Sequence, residues 1–189
     1  MQRIAIFASG TGSNAIKIIE HFKGHPTIEV SLVLSNNAKA TVLSKAVDAD
    51  VEIYSFNRES FYNTNQVLNK LKSSKIDLVV LAGFMWLVPE NLVHEYSDRI
   101  MNIHPALLPK FGGKGMYGMH VHHAIKSAGE KETGITIHLV NKEYDKGRVL
   151  FQAKCSLTEE DSAETIVLKV QELEHTYFAQ QIEAYLQSI

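Results

Sequence analysis

One cysteine, Cys155, stands among 189 residues. No disulfide can form within such a chain, and so sparse a use of cysteine favours a reducing compartment. Cys155 falls in the apolar run 149–157 and reads as a buried strand thiol. Neither sign of charge is in excess: 19 Lys and Arg face 21 Asp and Glu, for a formal net charge of −2. That balance argues against nucleic acid or an anionic membrane surface as a partner and leaves small molecules. Long hydrophobic runs are missing too. The opening Met-Gln-Arg-Ile-Ala-Ile-Phe-Ala reaches Ser9 and Gly10 before it could make a signal peptide or a membrane span. A cytoplasmic protein is expected. Only four prolines interrupt a chain that is 45% hydrophobic. This is enough to bury a full core, so residues 1–189 read as a single domain.

What is present is alternation. Ile4–Ala8, Glu29–Leu34, Val51–Tyr54, Leu78–Ala82 and Ile100–Ile103 are short runs rich in valine and isoleucine, as strands buried on both faces are. Between them, Asn14–Phe22, Thr41–Ala49 and Phe61–Leu71 carry apolar residues at helical spacing. The fold class is therefore α/β: a doubly wound, mostly parallel twisted sheet with helices on both faces. The ending departs from this rhythm. Gly134–Val140 alternates apolar and polar residues, Asn141–Gly147 turns, and Arg148–Leu157 runs on as another strand, which predicts an antiparallel pair. Thr158 and Asp161 then offer capping groups to one long C-terminal helix over Ser162–Leu186.

Ser9-Gly-Thr-Gly-Ser-Asn14 lies at the first strand-to-helix turn. Glycine lets the backbone approach a ligand closely, and the free N–H groups at a helix start favour a phosphate. Ser13 and Asn14 add side-chain donors. A dinucleotide site would want a third glycine near Ala15–Lys17 and an acid after the second strand. The chain has Ser35-Asn36-Asn37 there, so a phosphate monoester is the expected ligand.

A second constellation lies in Arg99-Ile-Met-Asn-Ile-His-Pro-Ala-Leu-Leu-Pro109. On a strand, side chains at i and i+2 share a face, so Asn102 and His104 project together. Pro105 and Pro109 stop the strand and stiffen its exit. A neutral donor beside an imidazole suits a carbonyl that turns into an oxyanion. Asp145, in a loop ending Asp-Lys-Gly, is the candidate carboxylate that would keep His104 protonated, with an ordinary turn aspartate as the alternative. The glycine-rich stretch Phe111–Gly118 reads either as a lid or substrate loop or as a connector. His120, His122 and His123 follow a His-x-His-His spacing that matches no standard zinc signature, so no metal is expected. His122 and His123 read as the solvated side of a helix ending at Ser127, and Glu174 as a charge on the last helix.

These segments together resemble the glycinamide ribonucleotide transformylases, the folate-dependent formyltransferases of purine biosynthesis. The resemblance rests on Ser-Gly-Thr-Gly-Ser-Asn at 9–14, Leu-Ala-Gly-Phe-Met at 81–85 and Asn-Ile-His-Pro-Ala-Leu-Leu-Pro at 102–109. It continues in Thr-Gly-Ile-Thr-Ile-His at 133–138, Asp145, and Leu-Glu-His at 173–175. It implies a mononucleotide-binding half over 1–100 and a folate-binding, catalytic half over 101–189. Gly12, Ser13 and Asn14 match the positions that hold the ribonucleotide phosphate, and Glu174 the acid that holds its glycyl amine. Arg58, Met85, Trp86, Leu87, Val88, Asn102, Asn141 and Asp145 match positions around the folate. Trp86 departs from the pattern, standing where some relatives have arginine. Asn102, His104 and Asp145 match the catalytic set. The implied co-substrate is 10-formyltetrahydrofolate, and the protein would be a monomer or a homodimer. Two rival readings are a formyltransferase acting on an amino sugar and a non-catalytic nucleotide-binding protein.

Overall fold

In the computed structural model, which describes residues 1–189, seven strands form one sheet in the order β3-β2-β1-β4-β5-β6-β7. The strands are β1 (Gln2–Phe7), β2 (Ile28–Ser35), β3 (Glu52–Ser55), β4 (Leu78–Leu81), β5 (Ile100–His104), β6 (Glu132–Leu139) and β7 (Val149–Ser156). The first five run parallel, whereas β6 is antiparallel to both of its neighbours. The helices are α1 (Ser13–Phe22), α2 (Thr41–Asp48), α3 (Gln66–Ser73), α4 (Glu90–Glu95), α5 (Met119–Ser127) and α6 (Ala163–Leu186).

The apolar residues of β1, β2, β4, β5 and β6 feed two cores, whereas β3, read from the sequence as buried, is an edge strand and largely exposed. Ile4, Ile6, Val33, Val80, Met101 and Ile103 pack under α1, α2, α5 and α6. Ala5, Phe7, Leu32, Leu34, Val79 and Leu81 pack under α3, α4 and the turn before α3. A sheet covered on both faces needs such unbroken apolar strands, and β4 is buried at every position.

Three further expectations are corrected. The single helix expected over Phe61–Leu71 is instead a π-helical turn, Glu59–Asn63, followed by α3. Polar side chains divide it: Thr64 is extended, and its hydroxyl donates to the Ser60 carbonyl and accepts from Gln66 N–H. Cys155 is partly exposed rather than buried, because β7 is an edge strand. His122 turns inward and is 5% exposed, whereas His123 faces solvent.

Burial pushes the His122 imidazole down to about 4, with charge repulsion from His104 and His123 adding to the effect. A histidine held neutral in the fold stabilises it fully above pH 6.5, and that stabilisation is lost as pH falls through about 4. His122→Leu should therefore show a smaller drop in chemical unfolding midpoint between pH 7 and pH 4 than the native chain. Equal drops in the two proteins would remove His122 as the cause.

Candidate active site

The sheet order itself selects where a site can form. From β1 the chain winds outward through β2 and β3, then returns to lay β4 on the other side of β1. At this reversal the loops after β1 and β4 part and leave a crevice at the carboxyl ends of the strands. The loop after β1 is the glycine turn. That after β4 is Gly83–Val88, and the two are tied where Ser9 N–H donates to the Gly83 carbonyl and Met85 N–H to Ser9 Oγ.

Gly12 has φ 72°, and a Cβ there would run into the Val42 side chain, so only glycine makes this turn without displacing α2. The start of α1 has no side-chain cap, which leaves its first N–H groups directed at the crevice. Lys45 reaches over from α2, and its Nζ donates to the Thr11 carbonyl at 3.0 Å. Gln171 Nε2 donates to Ser13 Oγ at 3.2 Å, and Asn14 Nδ2 donates to Glu174 Oε2 at 2.8 Å. Asn14 and Glu174 thus meet across 160 residues. Burial raises the Glu174 carboxyl above its usual range, and the Asn14 amide offsets this only in part. Asn14 Oδ1 is buried with no partner. An acid that burial disfavours, beside an unpaired amide oxygen, is built to receive a hydrogen-bond donor. A groove of about 620 Å³ is lined by Ser13, Lys45, His175 and residues of α1 and α2; His104 does not line it.

One strand further along, β5 delivers Asn102 and His104 on the same face, as the i, i+2 spacing predicts. His104 is 3% exposed. Its Nε2 donates to the Phe111 carbonyl at 2.8 Å, and its Nδ1 lies 3.5 Å from Asp145 Oδ2. Asp145 adopts φ 54°, a conformation aspartate tolerates better than most residues. Its Oδ2 accepts Gly113 N–H at 2.9 Å, which joins the Asp145 loop to the glycine-rich stretch. Burial pushes the Asp145 carboxyl up, but His138 and His104, in their charged forms, and the Gly113 N–H together hold it below its usual value. Asp145 is therefore ionised at neutral pH.

Burial also holds His104 below its ordinary value, outweighing Asp145 and the Phe111 carbonyl, which pull the other way. Asp145 does pull the ring toward its charged form, as expected, and burial opposes it. Desolvation of a ring this deep exceeds the attraction of a carboxylate 3.5 Å away. Both ring nitrogens face acceptors, and Asp145 is a ready-made partner for a proton at Nδ1.

The remaining site residues fall in two groups. Arg58 lies over the Trp86 ring at 4.9 Å, and Trp86 stacks on Tyr62, whose hydroxyl donates to the Leu87 carbonyl. Met85 is 51% exposed beside them. These form an apolar, cation-topped platform on the crevice rim. The Val88 side chain is instead buried in the second core, leaving only its backbone for a ligand. Asn141 closes the Asp145 loop, donating to the Lys146 carbonyl and accepting Glu143 N–H.

His138 was not singled out as a site residue by sequence reasoning, although it ends the Thr133–His138 motif. It sits directly opposite Asn102 in the β5–β6 register. Its Nε2 is 3.1 Å from Asn102 Nδ2 and 3.6 Å from Asp145 Oδ1. The signal was the antiparallel pairing, which no local pattern in β5 reveals.

Known proteins resemble this chain over most of its length. The family model described as formyl transferase matches residues 2–182. The chloroplastic phosphoribosylglycinamide formyltransferase of Arabidopsis thaliana is 35% identical over 189 residues, which is 97% of this chain but only 65% of that relative. The phosphoribosylglycinamide formyltransferase of Haemophilus influenzae is 34% identical, covering 94% of this chain and 84% of its own. The crystal structure of phosphoribosylglycinamide formyltransferase from Bacillus halodurans superposes with a TM-score of 0.88 at 36% identity, over 98% of this chain and 95% of that one.

Proposed function

This chain belongs to the formyl transferase family, and we propose that it moves the formyl group of 10-formyltetrahydrofolate onto the glycyl amine of glycinamide ribonucleotide. The products are formylglycinamide ribonucleotide and tetrahydrofolate, in purine biosynthesis. One observation carries the reading: His104 meets Asp145 and His138 links Asn102 to the same carboxylate, while an uncapped glycine turn follows β1 two strands away in the same parallel sheet.

The phosphate lies against the N–H groups of Gly12, Ser13 and Asn14, with Lys45 supplying positive charge. Glu174 receives the glycyl amine. The half 1–100 thus contributes most of the ribonucleotide site, and the half 101–189 the reacting groups. Folate lies along Met85–Val88, Arg58 and Asn141, its formyl carbon facing Asn102 and His104. No helix is long and apolar enough to cross a membrane, and the unpaired Cys155 fits a reducing, cytoplasmic setting.

As the amine adds to the formyl carbon, negative charge gathers on the formyl oxygen. Asn102 donates an N–H to it. His104 exchanges the Phe111 carbonyl for that oxygen at Nε2, so the glycine-rich stretch must yield as substrates enter. The amine loses one proton as the new C–N bond forms, and the folate nitrogen gains one as the old bond breaks. His104 Nδ1 and Asp145 carry that proton between them, and the carboxylate stabilises the imidazolium formed on the way.

The test mixes the protein and 10-formyltetrahydrofolate with one amine at a time and follows tetrahydrofolate release. Release with glycinamide ribonucleotide and not with an amino sugar is expected. Preference for the amino sugar would move the protein to the rival formyltransferase class. No release with either would leave a nucleotide-binding protein.

A further inference from the structure

An oxyanion donor must present nitrogen, yet a primary amide has almost no intrinsic preference for which end points where. Rotating it by half a turn exchanges oxygen and nitrogen at little steric cost. Something beside Asn102 must decide the matter.

The deciding neighbour is the ring opposite it. His138 is 2% exposed, so its hydrogen bonds are made with protein. Its Nδ1 lies 3.0 Å from the Leu139 carbonyl oxygen, which can only accept, so Nδ1 carries the ring proton. In a neutral imidazole the other nitrogen then has a lone pair. That nitrogen, Nε2, meets Asn102 Nδ2 at 3.1 Å. Asp145 Oδ1, which would draw a proton to the same nitrogen, stands further off at 3.6 Å. The Leu139 carbonyl has room for this task because a Cβ on residue 147 would strike it, and residue 147 is glycine.

We propose that His138 is a positioning residue that works by its tautomer. The Leu139 carbonyl places the proton on Nδ1, the lone pair on Nε2 takes one N–H of Asn102, and the second N–H is thereby aimed at the formyl oxygen. The reversed tautomer would turn the amide oxygen toward the developing negative charge and oppose it. The inference rests on the proposed formyl transfer and on Asn102 as its donor.

The test compares His138→Phe, which fills the space without an acceptor, with His138→Gln, which restores an acceptor near the Nε2 position. Loss of an aligned oxyanion donor lowers kcat by about 10²-fold, and that fall is expected for His138→Phe with both KM values little changed. His138→Gln should recover about tenfold of it. Equal kcat values in the two variants, or a loss carried by KM, would overturn the proposal. Nitrogen NMR of the native protein reads the tautomer without any substitution. A protonated Nδ1 and bare Nε2 on His138 are expected, and the reverse overturns the proposal even if His138→Phe does not fold. Failure of the native protein to transfer formyl would instead reject the reaction itself, whatever the tautomer.

Discussion

His104→Ala is expected to lower kcat by about 10³- to 10⁴-fold, the combined weight of an oxyanion donor and an acid–base group. KM for the ribonucleotide should hardly move, since the proposed phosphate site at Gly12–Asn14 lies two strands away. Alanine also leaves a cavity where an almost fully buried ring had been, so His104→Asn is the sharper comparison. An asparagine can still donate to the Phe111 carbonyl that His104 Nε2 now holds, but it cannot carry a proton at pH 7. If the two variants are equally slow and His104→Asn keeps its thermal unfolding midpoint, the loss is chemical. A fast His104→Asn would assign His104 to loop anchoring and leave proton transfer to another group.

Gly12→Ala should damage the opposite end of the crevice. The residue sits at φ 72°, where an L side chain costs about 1 kcal/mol. The added methyl would also run into Val42, a fully buried residue of α2. Relief comes only by shifting the turn away from α2, which moves the Ser13 and Asn14 N–H groups off the proposed phosphate site. A charge-assisted hydrogen bond is worth about 1.5–3 kcal/mol, so KM for the ribonucleotide should rise by about 10- to 100-fold. Turnover at saturation should be nearly kept. Steady-state kinetics with each substrate varied separately will show the asymmetry, and an equal rise in folate KM would contradict it.

The two ends of the site differ in how far they could be read from the sequence. The glycine turn was visible because its chemistry is local: a strand, a Gly-Thr-Gly, and a helix follow one another in the chain. Asn102 and His104 were visible for the same reason, since period-two spacing alone puts them on one face. The partnership with Asp145 was only a candidate, because 41 residues separate His104 from Asp145 and a hairpin decides whether they meet. His138 escaped altogether, since its role comes from a register between β5 and β6 that neither strand encodes alone. The balance of forces at His104 was out of reach for a related reason. Sequence shows a carboxylate that could attract a proton but not the depth of burial that opposes it. The same blindness placed His122 on the solvent side: three histidines in four positions look polar, while packing turns one of them into the core. The helix expected over Phe61–Leu71 failed for another cause, competition between backbone and side chains at Asn57, Ser60 and Thr64.

Formyl transfer between two bound small molecules is tested most directly by following the carbon itself. With the formyl carbon of 10-formyltetrahydrofolate isotopically labelled and glycinamide ribonucleotide present, the label should appear on the glycyl nitrogen in step with tetrahydrofolate release. Label recovered as free formate would show that water, not the amine, reaches the carbon beside Asn102 and His104, and would contradict the proposed reaction.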